Sequence, residues 1–309
     1  MTSAIQTRAA RYSEFGGADV LRVVDHEVAA PAPGKVRIAV RAAGLNPVDA
    51  KIRGGHKPEW APTLPAGIGR ELAGVVEAIG EGVTRLAVGD EVFGNIVGSA
   101  IARHALTNPN NMAFKPAGLD WVTAGGLALA GQTAWDAVAS QNITDADTVL
   151  VSAAAGGVGS LAAQLALRAG ATVLGTASES NHDHLRALGI IPVSYGPGLA
   201  DRVRAAAPSG VTVVLDHHGA ETVETGIALG VDRSRINTIA TDAAAYGVAS
   251  VGRGPINTDT LDALAALVVA GELVVTIDST FPLDDVVDAF TRLESGHARG
   301  KVVVVMPEA

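Results

Sequence analysis

The fold is decided by the stretch TVLVSAAAGGVG, residues 148–159. Its first part, 148–152, is an apolar run that predicts a buried parallel strand. A glycine-rich turn follows, and the apolar spacing beyond it predicts a helix over 157–169 that ends at Gly170. Glycines let a backbone approach phosphate groups, and a helix start offers free N–H groups at a positive dipole end. The stretch therefore predicts a site for the pyrophosphate of a dinucleotide; the alternative is a packing turn that holds no ligand.

Strand-like and helical segments alternate around this stretch. The sequence predicts strands at 148–152, 171–175, 190–193, 211–215 and 235–240, and helices at 157–169, 182–188, 199–206 and 221–229. Such alternation with short loops indicates an α/β fold with a doubly wound parallel sheet, the Rossmann arrangement.

The two ends of the chain have a different texture. Short alternating apolar runs such as 36–41 and 74–79, separated by Gly and Pro, predict a mostly β domain. The tail predicts a helix around 261–268, a strand at 273–277, a helix at 286–293 and a last strand at 302–305. We expect this tail to return to the first domain and complete its sheet. The predicted domains are 1–120 with 259–309, and 121–258.

Composition excludes several classes of function. The chain has 309 residues and a net charge of −9 with no basic run, which argues against binding to nucleic acid. No segment has the apolar length of a signal peptide or a membrane span, so we expect a cytoplasmic protein without membrane contact. The absence of cysteine excludes disulfides, thiol nucleophiles and cysteine-ligated zinc.

The second predicted strand of the Rossmann sheet ends in Ser178, about 20 residues beyond the turn, where NAD-specific folds carry an acidic residue. The Ser178 hydroxyl could donate to a ribose 2′-phosphate, and Tyr195 at the end of the next strand could cover it. This favours NADPH over NADH. Two features count against this preference: the acidic Glu179 is adjacent, and no Lys or Arg lies between Arg168 and Arg186. Alternatively, Ser178 simply ends a strand and has no role in choosing the cofactor.

Several motifs in fixed order identify a family. They are NPVD (46–49), IRGG (52–55), VGDEVF (88–93), GQTAW (131–135), AAAGGVG (153–159) and RGK (299–301). In order and spacing the chain resembles the zinc-independent, ζ-crystallin-like quinone oxidoreductase branch of the medium-chain dehydrogenase/reductase superfamily. The resemblance implies a GroES-like substrate domain, a Rossmann cofactor domain and hydride transfer from NADPH to a quinone or an electron-poor enone. It also implies a homodimer or a larger homo-oligomer.

The residues at the metal positions of zinc-dependent relatives argue against a metal here. Asn46 stands where those relatives have a cysteine ligand, and Arg70 stands where they have a histidine. Their four-cysteine structural lobe has no counterpart between Asp90 and Lys115. Reduction of an electrophilic acceptor does not need the Lewis acid that alcohol oxidation uses. We therefore expect a reductase without metal.

By the same resemblance, Asn46 and Thr133 are the candidate catalytic residues. Asn46 could donate to a nicotinamide-ribose hydroxyl or to a developing oxyanion, and Thr133 takes the position that faces the nicotinamide. The candidate cofactor-binding residues are Asn46, Thr133, Ala155, Gly156, Gly157, Val158, Ser178, Tyr195, Ile239, Ala240, Thr241 and Lys301. Purely structural alternatives stay open: a turn residue before Pro47 for Asn46, a helix N-terminal hydroxyl for Thr133, and a solvated charge for Lys301.

Two other functions are compatible with the sequence. One is an enoyl-thioester or 2-alkenal reductase, and the other is a non-catalytic NADPH-binding sensor. The pair His182/His184 is two residues apart at a helix start and the pair His217/His218 is adjacent, but in both the side chains diverge, which disfavours a metal site. A hydrolase is excluded because the glycine turn lacks the Gly-x-Ser-x-Gly nucleophile elbow.

Overall fold

The chain forms two compact units in a computed structural model, which describes residues 3–252 and 254–306. The chain passes from the first unit into the second after Leu129 and returns to the first after Pro255. The division expected from the sequence, after residues 120 and 258, stays a prediction about independently folding domains.

The described residues contain sixteen strands. They are β1 (Ile5–Tyr12), β2 (Arg22–Val28), β3 (Val36–Gly44), β4 (Ala66–Gly67), β5 (Glu71–Ile79), β6 (Glu91–Asn95), β7 (His104–Thr107), β8 (Met112–Phe114), β9 (Thr148–Val151), β10 (Thr172–Ala177), β11 (Ile191–Ser194), β12 (Val213–Asp216), β13 (Ile236–Thr238), β14 (Ala249–Ser250), β15 (Ile277–Pro282) and β16 (Lys301–Val305).

Nine α-helices lie in the same described residues. They are α1 (Pro47–Arg53), α2 (Trp121–Ala139), α3 (Gly157–Arg168), α4 (His182–Ala187), α5 (Leu199–Ala206), α6 (Ala220–Ala228), α7 (Ala243–Tyr246), α8 (Thr258–Val269) and α9 (Val286–Glu294). Within this described part of the chain, no helix combines the length and the apolarity that a membrane crossing requires.

The first unit is mostly β, as the sequence predicts. One sheet has the strand order β2-β1-β4, and the other has the order β15-β16-β3-β5-β6-β8, with β7 also paired to β3. The last strand, β16, pairs antiparallel with β3, which confirms that the tail completes the sheet of the first domain. Buried side chains from both parts of the chain, among them Leu72 and Phe290, form one core.

The second unit contains a six-stranded sheet with the order β11-β10-β9-β12-β13-β14. Every strand pair in it is parallel. Val149, Leu150 and Val151 of β9 are fully buried because helices cover both faces of such a sheet. From β9 the chain first adds strands on one side and then on the other, so the strand order reverses beside β9. The predicted doubly wound α/β fold is confirmed.

The prediction of a strand at 273–277 is wrong. Only Ile277 of that run belongs to a strand, because β15 pairs with β16 through residues 277–282. Leu273 is buried for another reason: it packs beyond the end of α8, where its N–H bonds to the Leu267 carbonyl. Burial of an apolar run was thus mistaken for strand pairing.

Candidate active site

The turn between β9 and α3 is held in a tight shape. Ala154 donates to the Thr176 carbonyl at 3.0 Å, and Ala153 takes a left-handed conformation with φ of 48°. A Cβ on Gly159 would lie 2.3 Å from the Ala153 carbonyl oxygen, a contact with backbone that cannot move aside. Only glycine fits there, so the turn can bring its backbone against the start of the helix.

The start of α3 exposes donors that have no partner in the helix. The first amides of a helix have no intrahelical acceptor, and within residues 3–252 and 254–306 no backbone oxygen accepts from Gly157, Val158 or Gly159. Gly156, Gly157 and Val158 are partly exposed, while Ala155 is buried. The arrangement can bind an anionic group such as a pyrophosphate.

Asp216 organises the carboxyl ends of three neighbouring strands. It ends β12, is fully buried, and its Oδ1 accepts from Ser152 Oγ at 2.9 Å and from two backbone amides, His218 N and Gly219 N. Its Oδ2 accepts from Thr238 Oγ1 at the end of β13, at 2.6 Å. Four donors thus satisfy one buried carboxylate and connect the loops that leave β9, β12 and β13.

The same network positions the segment 239–241. Thr238 Oγ1 accepts from the backbone N–H groups of Ala240 and Thr241, at 3.0 and 3.1 Å. The Thr133 and Ile239 side chains meet at one place: their Cγ2 atoms would lie 3.0 and 3.1 Å from a Cβ added to Gly252. The structure therefore brings together Thr133 and the segment that follows β13, which the sequence could place only by resemblance.

His217 lies at this edge with unused hydrogen-bonding groups. Its backbone N–H donates to Ser152 Oγ at 2.7 Å, but in the described residues neither ring nitrogen has a hydrogen-bond partner, and both nitrogens are buried. Burial lowers the pKa of His217 to about 4, against the opposing effects of Asp216 and the Ser152 backbone. Free amides and a close-fitting glycine at one sheet edge fit a bound dinucleotide.

Polar side chains gather where β10 and β11 end. Ser178 Oγ lies 3.0 Å from Ser180 Oγ and accepts from Asn181 Nδ2 at 3.0 Å. Tyr195 follows β11 directly and is 56% exposed. Arg202 from α5 donates to four backbone carbonyls of the loop that contains Tyr195, those of residues 194–197. This arginine supplies a positive charge that the sequence analysis did not find, because it lies on the helix after the next strand.

In the first unit, Asn46, Glu71 and Lys301 form a buried polar cluster. All three are at most 5% exposed. Lys301 Nζ donates to Asn46 Oδ1 at 2.6 Å, to Glu71 Oε1 at 2.7 Å and to the Leu45 carbonyl at 2.9 Å. Asn46 Nδ2 donates to Glu71 Oε1 at 2.8 Å, and the amide of Leu129 donates to Glu71 Oε2. These contacts fix which way the Asn46 amide points.

The cluster rules out Lys301 as a solvated charge and limits its role as a direct contact of the cofactor. A solvated charge is wrong, because the Lys301 ammonium is buried against Glu71. All three of its N–H groups are used by oxygens of the first unit, so a direct contact with a cofactor would have to replace one of them. The direct contact stays a prediction.

Two neighbours complete the cluster. Asp49 is buried and its Oδ2 accepts from the Asn46 backbone N–H at 3.0 Å. Burial raises the pKa of Asp49 to about 7, although Arg70, the Asn46 N–H and Lys301 lower it. A Cβ on Gly44 would lie 2.5 Å from Glu71 Oε1, so glycine at this position lets the carboxylate approach.

Three residues of these sites and the helix α2 were not predicted from the sequence. Glu71, Asp216 and Arg202 were given no role, yet a polar residue at the end of each of three buried strands, Ser152, Asp216 and Thr238, was a usable signal. Thr133 lies in the middle of the long helix α2, so the alternative of a helix N-terminal hydroxyl is wrong.

Comparison with known proteins agrees with this architecture. Residues 32–140 match the alcohol dehydrogenase GroES-like domain, and residues 193–304 match the zinc-binding dehydrogenase domain. The chain is 32% identical to the NADPH-dependent alkenal/one oxidoreductase of Arabidopsis thaliana chloroplasts, over 95% of this chain and 78% of that protein.

Solved structures are similar along nearly the whole chain. The quinone oxidoreductase from Coxiella burnetii is 29% identical, with a TM-score of 0.89 over 98% of this chain and 100% of that chain. A mycobacterial protein complexed with NADPH is 27% identical, with a TM-score of 0.86 over 97% of this chain and 99% of that one. The chain belongs to the medium-chain dehydrogenase/reductase superfamily, in its quinone oxidoreductase branch.

Proposed function

We propose that this protein is an NADPH-dependent reductase that transfers a hydride to a quinone or to another electron-poor enone, without zinc. The observation that carries the proposal is the carboxyl edge of the parallel sheet, where free amides of α3 lie beside loops that Asp216 holds in place. The relatives act, by their names, on alkenals, enones and quinones, and one was obtained with NADPH.

Each part of the sheet edge has a role in this proposal. A bound reduced nicotinamide supplies the hydride. The amides of residues 157–159 bind the pyrophosphate, and the segment 239–241 flanks the nicotinamide ribose. Thr133 faces the nicotinamide, close to Ile239. The protein contributes position and a dry surface rather than covalent chemistry.

Asn46 has one hydrogen left for this chemistry. Its Oδ1 is held by Lys301 and one Nδ2 hydrogen is held by Glu71, while no acceptor for the second Nδ2 hydrogen lies in the described residues. In the proposal, that hydrogen is donated to a ribose hydroxyl or to the oxyanion that develops on the acceptor. Water supplies the proton that completes the reduction, so no side-chain acid is needed.

The residues at the metal position do not fit a zinc ion. The chain has no cysteine, Asn46 offers a weakly ligating amide that is already hydrogen-bonded, and Arg70 is a permanent cation. The positive charge beside Glu71 comes from Lys301. We expect acceptor reduction to continue at an unchanged rate after treatment with a chelator, and added Zn²⁺ to give no increase.

The preference for NADPH rests on the ends of β10 and β11. Ser178 and Tyr195 offer hydroxyls to a 2′-phosphate, and Arg202 adds a positive charge to their loop. We expect Ser178→Ala to weaken NADPH binding about three- to tenfold and to leave NADH binding unchanged. Fluorescence titration with both cofactors measures this, and Ser209→Ala, on a loop far along the chain, is the control. Equal affinity of the unmodified protein for NADH and NADPH would contradict this assignment.

The reaction is tested by following NADPH absorbance with 1,4-benzoquinone, 2-cyclohexenone and a crotonyl thioester. The proposal predicts acceptor-dependent oxidation with the quinone or the enone. Turnover with the thioester alone would favour an enoyl-thioester reductase. Tight binding of NADPH without turnover on any of the three would favour a sensor. We also propose a homodimer, which light scattering on the eluting protein measures.

A further inference from the structure

Arg70 lies beside the buried polar cluster of the first unit. It directly precedes Glu71, at the start of β5. Burial raises the pKa of Asp49 to about 7, and the charge of Arg70 is the largest of the effects that lower it. Asp49 also accepts from the Asn46 backbone N–H, so the Arg70 guanidinium is close to the residue proposed to donate to the acceptor. At neutral pH the Asp49 carboxyl is only partly ionised and does not fully neutralise this cation.

Contact with an aromatic ring holds the Arg70 side chain and leaves its hydrogen-bond donors unused. The guanidinium carbon lies 5.3 Å from the centre of the Trp60 ring, at cation–π distance. Within residues 3–252 and 254–306, the guanidinium makes no hydrogen bond and no ion pair. The side chain is partly exposed, and none of its nitrogens is buried without a partner. A ligand can therefore reach a cation whose position is already fixed.

The charges around Arg70 favour an anion, although the chain as a whole carries a net charge of −9. Lys57 Nζ approaches the same aromatic ring at 5.5 Å, so two cations converge there. Glu59 lies 3.7 Å from Lys57 Nζ. Glu71 is held by Lys301 at 2.7 Å. Each of these carboxylates already has a cation, so the described residues leave Arg70 without an ion-pair partner.

A guanidinium presents two parallel N–H groups that match the two oxygens of a carboxylate. We propose that Arg70 is a specificity-determining residue of the acceptor site, where it binds a carboxylate that the enone carries close to its reacting double bond. The inference rests on the proposed function and narrows its substrate class to anionic acceptors.

(E)-4-Oxopent-2-enoate is a small probe of this class. Its C2 carries the carboxylate and is the β-carbon of the ketone, so C2 gains the hydride from bound NADPH. Water gives a proton to C3, and the products are 4-oxopentanoate, NADP⁺ and hydroxide. The methyl ester has the same enone without the charge. Comparing each acceptor between protein variants cancels the difference in reactivity between the acid and the ester.

The test measures both acceptors at saturating NADPH. Arg70→Gln should lower kcat/KM for the acid about tenfold or more, chiefly through KM, and should change kcat/KM for the ester less than about twofold. Arg70→Lys keeps the charge but not the paired N–H groups, so it should retain part of the preference. Arg186→Gln, which removes an exposed arginine from an ion pair with Asp183, is the matched control and should change neither acceptor.

Salt dependence of the unmodified protein tests the same claim without a variant, so it decides even if Arg70→Gln does not fold. Raising NaCl from about 20 to about 300 mM should raise KM for the acid about threefold and leave KM for the ester unchanged. The net charge of the chain predicts the opposite for an anion without a local cation, because salt then screens repulsion.

Four results would each overturn the inference: no reduction of the acid, an unchanged kcat/KM for the acid in Arg70→Gln, an equal loss for acid and ester, or a KM for the acid that stays constant or falls with salt. If the unmodified protein reduces the ester or 2-cyclohexenone, such a result leaves the proposed function intact. If it reduces no enone and no quinone, the inference and the proposed function fail together.

Discussion

Asp49 and His217 are buried titratable groups whose pKa values shift in opposite directions. Burial raises the pKa of Asp49 from 3.8 to about 7, and burial lowers the pKa of His217 from 6.5 to about 4. Both side chains are therefore uncharged in the folded protein through most of the range between pH 4 and 7. Asp49 makes the folded state less stable as pH rises through this range, because only the unfolded chain gives up its proton. His217 makes it less stable as pH falls, because only the unfolded chain takes up a proton.

Asp49→Asn tests the first of these effects. Asparagine keeps an acceptor for the Asn46 N–H but cannot ionise. The difference in free energy of unfolding, variant minus unmodified, should rise between pH 4 and 7 by up to about 4 kcal/mol. Denaturant unfolding at pH 4.5, 5.5, 6.5 and 7.5 measures it. Asp183→Asn, at an exposed position, should show no such rise. A pH-independent difference for Asp49→Asn would contradict the raised pKa.

Lys301→Met tests whether the buried cluster is held by charge. The change leaves the Glu71 carboxylate buried without its cation, which costs on the order of 3–5 kcal/mol in free energy of unfolding. The double variant Glu71→Gln/Lys301→Met removes both charges and should regain a large part of that loss. Arg186→Met, which breaks an exposed ion pair with Asp183, should have a much smaller effect. Urea unfolding of the unmodified protein and these three variants measures the free energies of unfolding. Equal stability of Lys301→Met and Arg186→Met would contradict the prediction.

At the scale of elements, the second unit was predictable because its signals are local. β9 and α3 are found within one or two residues of the predicted bounds, since a buried apolar strand and a glycine-started helix need only neighbouring residues to define them. The long helix α2 was not predicted, because apolar residues cover it on all sides and no single stripe stands out. β15 was misplaced because its register depends on pairing with β16, which lies about 20 residues further on.

The candidate sites differ in the same way. The turn around Gly156 was predicted from a local motif, whereas Glu71, Lys301 and Asn46 come together from three distant strand and helix ends. Sequence spacing contains no information about such a contact. Resemblance supplied Asn46 and Lys301 as candidates, but only the packing shows that they bind each other.

Asp216→Ala tests whether the three strand ends act as one element. The change leaves four donors without their acceptor, including the amides of His218 and Gly219. We expect amide hydrogen exchange to become about tenfold faster or more in residues 217–219 and 239–241, and to stay unchanged in β9. Asp216→Asn keeps acceptors for most of these donors and should show a smaller effect. Unchanged exchange in both loops of the alanine variant would show that Asp216 does not hold them.

At the scale of the whole molecule, one chain combines a mostly β unit and a parallel-sheet unit, and each contributes one prepared site. The first unit presents a hydrogen-bond donor, Asn46, fixed by an ion pair. The second presents a helix start whose first amides have no backbone acceptor, and a sheet edge that Asp216 organises. This division agrees with the two domain families that match the chain, over residues 32–140 and 193–304.

The measurement that tests the proposed reaction most directly is isotope transfer. NADPH with deuterium at the transferring position of C4 is incubated with chelator-treated protein and 2-cyclohexenone, and the product is analysed by mass spectrometry and NMR. The proposed direct hydride transfer predicts cyclohexanone with one deuterium at the former β-carbon, formed at the rate at which NADPH is oxidised. Unlabelled product, or no acceptor-dependent oxidation of NADPH with any quinone or enone, would contradict it.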